Sequence, residues 1–326
     1  MGKGTVSDIH PLTVGVVGYY MGQAGRTHFL REMVTGADVV FLVGNRTNQN
    51  GTDSWSLYPS GAQYIHLDIA GEEIGRNYEV GVRLLGDAKL GLEALTAALE
   101  ACDLSKRQQA RAALEAEITK GRALYEERTA AVRRSPDAPV RPERIMAEID
   151  ARLRADDIVL ADASYSSIWI ANFLTAQEAG SRFITPRGLA GLGWGLPMAL
   201  GAKVGNPDKR VVCVCGDGGF AHAWAELETA RRLGLQVTLI ILNNQILGYQ
   251  KHAEDHKFGV HTDAVDFEPV DHAAIARACG LDGIRVEQPG EIGPALDQAL
   301  AADVTTLIDV IADPDAQPPI TAFEQD

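Results

Sequence analysis

Positive charge is in short supply along this chain. Thirty Lys and Arg stand against 44 Asp and Glu in 326 residues, a formal net charge of −14, with a pI near 5.0. That balance argues against nucleic acid or an anionic membrane as a main partner, because both repel a negative surface. Long apolar runs are missing too. None approaches the ~20 residues that cross a bilayer, and Met1-Gly2-Lys3-Gly4-Thr5 lacks the apolar centre of a secretory signal. Only four cysteines occur, and a reducing, cytoplasmic setting is the simplest inference. Cys213 and Cys215 fall two apart on one face of an apolar run. They read as small packing groups, with a redox or metal role as the alternative. Cys102 and Cys279 lie near helix ends in Ala-rich surroundings and read as structural.

What is present is 46% apolar content and a length with room for two globular domains. The most informative segment is Cys215-Gly216-Asp217-Gly218-Gly219-Phe220, followed by Leu242-Asn243-Asn244. Each follows an apolar, β-branched run, 210–215 and 237–242, that reads as a buried parallel strand. Between them 224–233 has helical spacing and stops at Gly234. Asp217 is thus expected to end one strand and Asn244 the next, both at the carboxyl edge of one sheet, where doubly wound folds bind ligands. The chemistry suggests a divalent metal holding a phosphorylated ligand. Gly216, Gly218 and Gly219 permit close backbone approach to an anion, and the helix that follows aims its N–H groups there. Asp217 offers one hard oxygen and the Asn244 amide another, a set that suits Mg²⁺ completing its octahedron with phosphate and water.

This Gly-Asp-Gly to Asn-Asn pattern resembles the diphosphate-binding signature of thiamine-diphosphate enzymes. The wider sequence is similar to the acetolactate synthase and pyruvate oxidase branch, through Pro186-Arg187-Gly188, Gly191-Leu192-Gly193-Trp194-Gly195-Leu196-Pro197, Gly201-Ala202-Lys203 and Asn243-Asn244-Gln245-Ile246-Leu247-Gly248. The likeness covers most of the chain and is strongest over 141–263. It implies thiamine diphosphate and Mg²⁺, the metal held by Asp217, Asn244 and the carbonyl of Ile246. It implies cofactor contacts from Tyr165, Ser166, Ala190, Gly191, Leu192, Gly216, Gly218, Gly219, Leu247 and Gly248. Leu192 falls where the family places a bulky side chain that bends the cofactor; a core role is the alternative, but its Gly neighbours leave little reason for a lone Leu there. The Ala190–Gly191 peptide would accept a hydrogen bond from the cofactor's amine.

Around this centre several readings stay open. The hydroxyls of Asp162-Ala163-Ser164-Tyr165-Ser166-Ser167 either complete the diphosphate cradle or cap the helix entering Trp169. His252 and His256, at i and i+4, read as a solvated helix face, a metal pair, or, for Tyr249 and His252, substrate contacts. Here the chain departs from the acetolactate synthases, which carry Met and a Gln-Trp pair where this chain has Tyr249 and His252-Ala253. Arg46, Asp68 and Gly18-Tyr19-Tyr20-Met21-Gly22 match places that contact FAD in some members, while others bind ADP there or nothing.

The organisation expected is α/β with doubly wound parallel sheets, a thiamine-diphosphate-binding fold preceded by an incomplete Rossmann-like middle domain. Residues 1–134 form the partial middle domain with strands at 38–43 and 62–68 and helices at 87–101 and 105–130. Residues 135–142 read as a linker and 143–326 as the cofactor-binding domain. In the latter, helices are expected at 145–153, 194–204, 272–278 and 292–300, with strands at 158–161, 284–286 and 307–311. The family's pyrimidine-binding domain carries an activating glutamate, which no residue here matches; Glu226 reads as packing or capping. Either another chain supplies that domain, in a dimer or tetramer, or the sequence is a truncated reading of a longer gene; the chain expressed alone is expected to be poorly soluble. The function implied is 2-oxo acid decarboxylation with carboligation of the acetolactate synthase type, acting on a small 2-oxo acid such as pyruvate. The alternatives are a simple decarboxylase, an acyl-CoA lyase or a non-catalytic cofactor- or partner-binding module.

Overall fold

A computed structural model describes residues 2–323, which divide into two compact units. One comprises Val17–Glu126 with 319–323. Its sheet holds three parallel strands in the order β1-β2-β3, namely β1 (Val39–Val43), β2 (Gln63–Asp68) and β3 (Val82–Leu85). Helix α1 (Arg31–Thr35) precedes β1, and α2 (Ala88–Glu100) and the start of α3 (Ser105–Thr129) follow β3. Asp87 caps α2 by accepting from the N–H groups of Lys89 and Leu90, satisfying donors that a helix start leaves open. Val40, Leu42, Tyr64 and Val80 form the unit's small core. Strand β3 was not expected, because Val82-Arg83-Leu84-Leu85 is exposed along its length and shows no alternation.

The other unit comprises residues 2–16 and 127–318. Its six strands are all parallel, in the order β5-β4-β6-β7-β9-β8. They are β4 (Ile158–Ala161), β5 (Arg182–Ile184), β6 (Val211–Gly216), β7 (Thr238–Asn243), β8 (Asp282–Val286) and β9 (Thr306–Ile311). The four inner strands are buried almost throughout, as continuous apolar runs in a parallel sheet must be when helices cover both faces. The helices are α4 (Pro142–Asp150), α5 (Tyr165–Phe173), α6 (Gly195–Gly205), α7 (Asp217–Ala221), α8 (Glu226–Arg232), α9 (Gly248–Phe258), α10 (His272–Ala278) and α11 (Ile292–Ala301). Helix α4 starts at Pro142, whose missing N–H costs nothing at a first helical position. The three-residue edge strand β5 escaped the sequence reading, being too short to show a period.

Two segments depart from the expected division. Residues 2–16 pack with the second unit: Lys3 pairs with Asp8 at 2.6 Å, and Asp8 accepts from the Ala176 N–H at 2.8 Å. The Asp8 N–H donates to the Ala176 carbonyl at 2.7 Å. The segment 135–142, read as a linker, is pinned in place. Val140 is fully buried, its N–H donates to Ile311 at 2.8 Å and its carbonyl accepts from Asp313 at 3.0 Å.

Helix α10 lies so close to β8 that a Cβ on Gly283 would sit 2.1 Å from the Ala273 carbonyl oxygen. Backbone cannot yield cheaply. Gly283→Ala should therefore destabilise the unit by about 1–3 kcal/mol, the usual range for overpacking. Gly205→Ala, where a Cβ meets nothing within 4 Å, should be neutral or stabilising by about 0.5–1 kcal/mol. Denaturant titration of the two variants checks both signs.

Candidate functional site

The chain leaves β4 for β5 on one side of the sheet and β6 for β7 on the other, although β4 and β6 are neighbours. Their carboxyl ends therefore flank a topological switch point, where open α/β sheets form a crevice. A cleft with about 560 Å³ of unfilled space, part of it open to solvent, lies at that point. Asp162 follows β4 and Asp217 follows β6, and both line it.

Asp217 does not end a strand, as expected; β6 stops at Gly216 and Asp217 is the first residue of α7. Its Oδ1 accepts from the Gly218 N–H at 2.9 Å and its Oδ2 from the Gln245 N–H at 2.7 Å. Burial pushes its pKa from 3.8 up to about 7, a rise that the nearby Asp309 carboxylate adds to and the two N–H groups oppose. One polar atom of the Asn244 amide lies 3.3 Å from Asp217 Oδ1 and 3.1 Å from the Ile246 carbonyl oxygen. With its NH₂ turned inward the amide donates to both. With its oxygen inward, three oxygens converge, an arrangement that a cation satisfies once Asp217 has lost its proton. The three residues fit a divalent metal for that reason.

The turn carrying Asn244 is held from behind. Gln245 sits at φ 59, and its carbonyl accepts from Phe267 while the Leu247 N–H donates to Val265. Helix α9 then begins at Gly248, and α5 begins at Tyr165, so two helix N-termini open on the cleft. Before α5, Ser164 occupies φ 66, ψ −143 with no side-chain cap bond, a region costly for any residue with a Cβ. Neither Ser164 nor Ser166 caps the helix through its side chain; the Ser166 Oγ reaches the Ala163 carbonyl at 3.4 Å.

Asp162 has a role that the sequence reading missed. Its Oδ1 accepts from Ala163 at 2.9 Å and Trp194 at 3.1 Å, and its Oδ2 from Gly193 at 2.9 Å. The carboxylate thereby ties the end of β4 to the loop that carries Leu192 into the cleft. Glycines make room for it. A Cβ on Gly219 would meet Asp162 Oδ2 at 2.2 Å, and one on Gly195 would meet Cys215 Sγ at 2.4 Å. Gly216 differs, since a Cβ there would touch no protein atom within 4 Å and would project into open space beside the cleft it lines. An acidic residue directly after a buried strand, the signal read at Asp217, was present at Asp162 as well.

Of the residues singled out from sequence, the cleft brings together Tyr165, Ser166, Leu192, Gly216, Asp217, Gly218, Gly219, Asn244, Ile246, Leu247 and Gly248. Ala190, at φ 55, and Gly191 belong to the same loop as Leu192 but are not in the cleft wall. Tyr249 and His252 are also outside the wall. The solvated-face reading fails for His252, which is buried with Nδ1 2.7 Å from the Tyr165 hydroxyl, while His256 is exposed. Among the described residues no group of three His, Cys, Asp or Glu could hold a metal, so the two imidazoles are not such a site. Glu226 lies in the first turn of α8, outside the cleft wall. In the other unit, Tyr19, Tyr20 and Met21 are buried side chains, Arg46 is exposed, and Asp68 Oδ1 accepts from the Ala70 N–H at 2.9 Å. That arrangement gives FAD no support. No helix among the described residues is long and apolar enough to cross a membrane.

Residues 162–310 match the thiamine pyrophosphate enzyme C-terminal TPP binding domain, and residues 1–95 match the thiamine pyrophosphate enzyme central domain. The chain is 31% identical over 322 residues to a probable acetolactate synthase large subunit of Methanococcus aeolicus, covering 96% of this chain and 53% of that protein. It is 29% identical over 314 residues to the acetolactate synthase large subunit of Parasynechococcus marenigrum, with coverage of 95% and 48%. It is 30% identical over 334 residues to a sulfoacetaldehyde acetyltransferase of Roseovarius nubinhibens, with coverage of 93% and 52%. The chain spans about half the length of the curated relatives it matches.

The raised Asp217 pKa has a consequence for cation binding. Below about 7 the carboxyl keeps its proton and competes with the metal; above that it ionises. Affinity for Mn²⁺, an EPR-visible stand-in for Mg²⁺, should therefore climb with pH by at most about tenfold per unit and level off above the pKa. Mn²⁺ titrations from pH 5.5 to 8.5 check this.

Proposed function

The chain belongs to the thiamine pyrophosphate enzyme family, whose central and C-terminal domains it carries, and from that premise we propose a function for the cleft. It binds thiamine diphosphate through Mg²⁺ and serves an acetolactate-synthase-like reaction, in which a small 2-oxo acid loses CO₂ and its remaining acyl unit joins an acceptor carbonyl. The single observation carrying this reading is the convergence of Asp217, the Asn244 amide and the Ile246 carbonyl at the β4–β6 switch point. When bound, the cofactor supplies the electron sink that lets a bond beside a carbonyl break.

The residues of this chain contribute position and charge. Asp217, Asn244 and Ile246 would hold the cation, and the N-termini of α5 and α9 would offer the diphosphate their N–H groups. Leu192, braced by Asp162 through Gly193 and Trp194, would press the cofactor into its bent form. In catalysis by positioning, a small displacement of such a group costs orders of magnitude in rate. The lining contains no glutamate among the described residues. Our reading assigns the activating glutamate to a pyrimidine-binding domain from another chain, in a dimer or tetramer. The exposed Leu189 and Trp194 on the Leu192 loop are consistent with a covering partner. A cytoplasmic site of action fits four cysteines that are all free thiols.

Asp217→Ala should abolish Mg²⁺-dependent thiamine diphosphate binding, and unchanged affinity in calorimetry would sink the assignment. Gly216→Ala should keep the wild-type melting temperature within about 1–2 °C while weakening the same binding at least about tenfold, since its methyl meets ligand space rather than protein. With pyruvate and the partner domain present, acetolactate marks carboligation and acetaldehyde marks simple decarboxylation. The absence of turnover in that assembly marks a binding module.

A further inference from the structure

The cleft has no cationic side chain of its own. Its lining includes the carboxylates of Asp162 and Asp217 and, among the described residues, no Lys, Arg or His. The ligand proposed for it nevertheless carries a diphosphate. An imidazole stands one layer back. His252 on α9 is only 5% exposed, and its Nδ1 lies 2.7 Å from the hydroxyl of Tyr165, which is part of the cleft wall. The Tyr165 ring is held closely: a Cβ on Gly248 would lie 3.1 Å from it, and the strained Ser164 directly precedes it.

His252 also hydrogen-bonds to the Pro314 backbone carbonyl, which can only accept. A neutral ring that gives its N–H to Pro314 keeps Nδ1 as an acceptor. The Tyr165 proton then points at His252, and the phenol oxygen offers other groups only lone pairs. Protonation of the ring reverses the bond. Nδ1–H then donates to the Tyr165 oxygen, and the phenol O–H can turn to donate to an anion.

We propose that Tyr165 and His252 form a proton-coupled anion contact, in which diphosphate binding draws one solvent proton onto His252 and Tyr165 presents the resulting donor to a phosphate oxygen. The inference rests on the cofactor reading above. No covalent bond changes; the proton stays on the imidazole while the anion is bound. Tyr165 is the ligand-contacting residue and His252 the positioning residue. Burial and Lys251 pull the His252 pKa below its ordinary value, while Asp255, Asp315 and the Pro314 carbonyl pull it up. The ring without ligand is therefore mostly neutral at pH 7, as the coupling requires. Tyr249, whose ring centroid is 5.8 Å from that of Tyr165, is another titratable neighbour of the pair. Asp217 titrates in the same cleft with the opposite sense, giving up a proton to take the cation, so wild type and variants must be compared at equal Mg²⁺.

The test is isothermal titration calorimetry of the full chain with Mg²⁺ and inorganic pyrophosphate, in buffers of different ionisation enthalpy. It is repeated with thiamine diphosphate, for wild type, His252→Gln and Tyr165→Phe. Wild type should take up more protons per ligand than either variant, by at most about one. Its affinity advantage over His252→Gln should shrink as pH rises from 6 to 8, by at most about tenfold per unit. Equal proton counts in all three proteins overturn the proposal. A lowered count in His252→Gln alone overturns the role of Tyr165. Pyrophosphate binding with the expected proton difference but no thiamine diphosphate binding removes the cofactor reading and keeps this one; binding of neither removes both. Should either variant misfold, NMR of the His252 ring in wild type decides, a pKa raised by Mg²⁺-pyrophosphate supporting the proposal and an unchanged one overturning it.

Discussion

Everything at the switch point depends on a buried carboxylate satisfied by backbone alone. Asp162 shares its two oxygens among the N–H groups of Ala163, Gly193 and Trp194. A carboxyl group in a poorly solvated place is tolerated when such donors converge on it. The consequence is geometric. The end of β4 and the loop before α6 become one rigid piece, and the glycines at 195 and 219 exist because a methyl at either site would strike that piece or the thiol behind it. Leu192 precedes Gly193 and is carried by this piece.

Asp217 shows the opposite solution to the same problem. It has two N–H partners, yet burial still lifts its pKa to about 7. The amide of Asn244 can turn either polar atom toward it. The pair therefore has two consistent states, one satisfied by protons and one by a cation. Stability and function pull apart here, as they commonly do where a fold holds charge ready for a ligand.

Much of this was legible in the chain itself, and the reasons are specific. The runs 210–215 and 237–242 read as inner parallel strands because nothing polar interrupts them, and β6 and β7 follow within a residue. Gly-Asp-Gly and Asn-Asn marked the site because strand ends in such sheets converge. The edge strand β5 and the exposed β3 were illegible, since neither is apolar nor periodic enough to stand out. The pairing of Tyr165 with His252 spans 87 residues, and no local pattern encodes a contact of that kind. The spacing of His252 and His256 suggested a shared face, but burial separates them. The role of Asp162 was missed because its donors are backbone N–H groups of a distant loop, which local sequence does not name.

The attachment of residues 2–16 also bears on how this chain acquires its structure. Their partners at Ala176 and Gln177 lie 168 to 170 positions further along. Loop closure over such a span is slow relative to local helix formation. Residues 2–16 are therefore expected to be among the last parts of this unit to settle, and until then they stay open to chaperones and proteases.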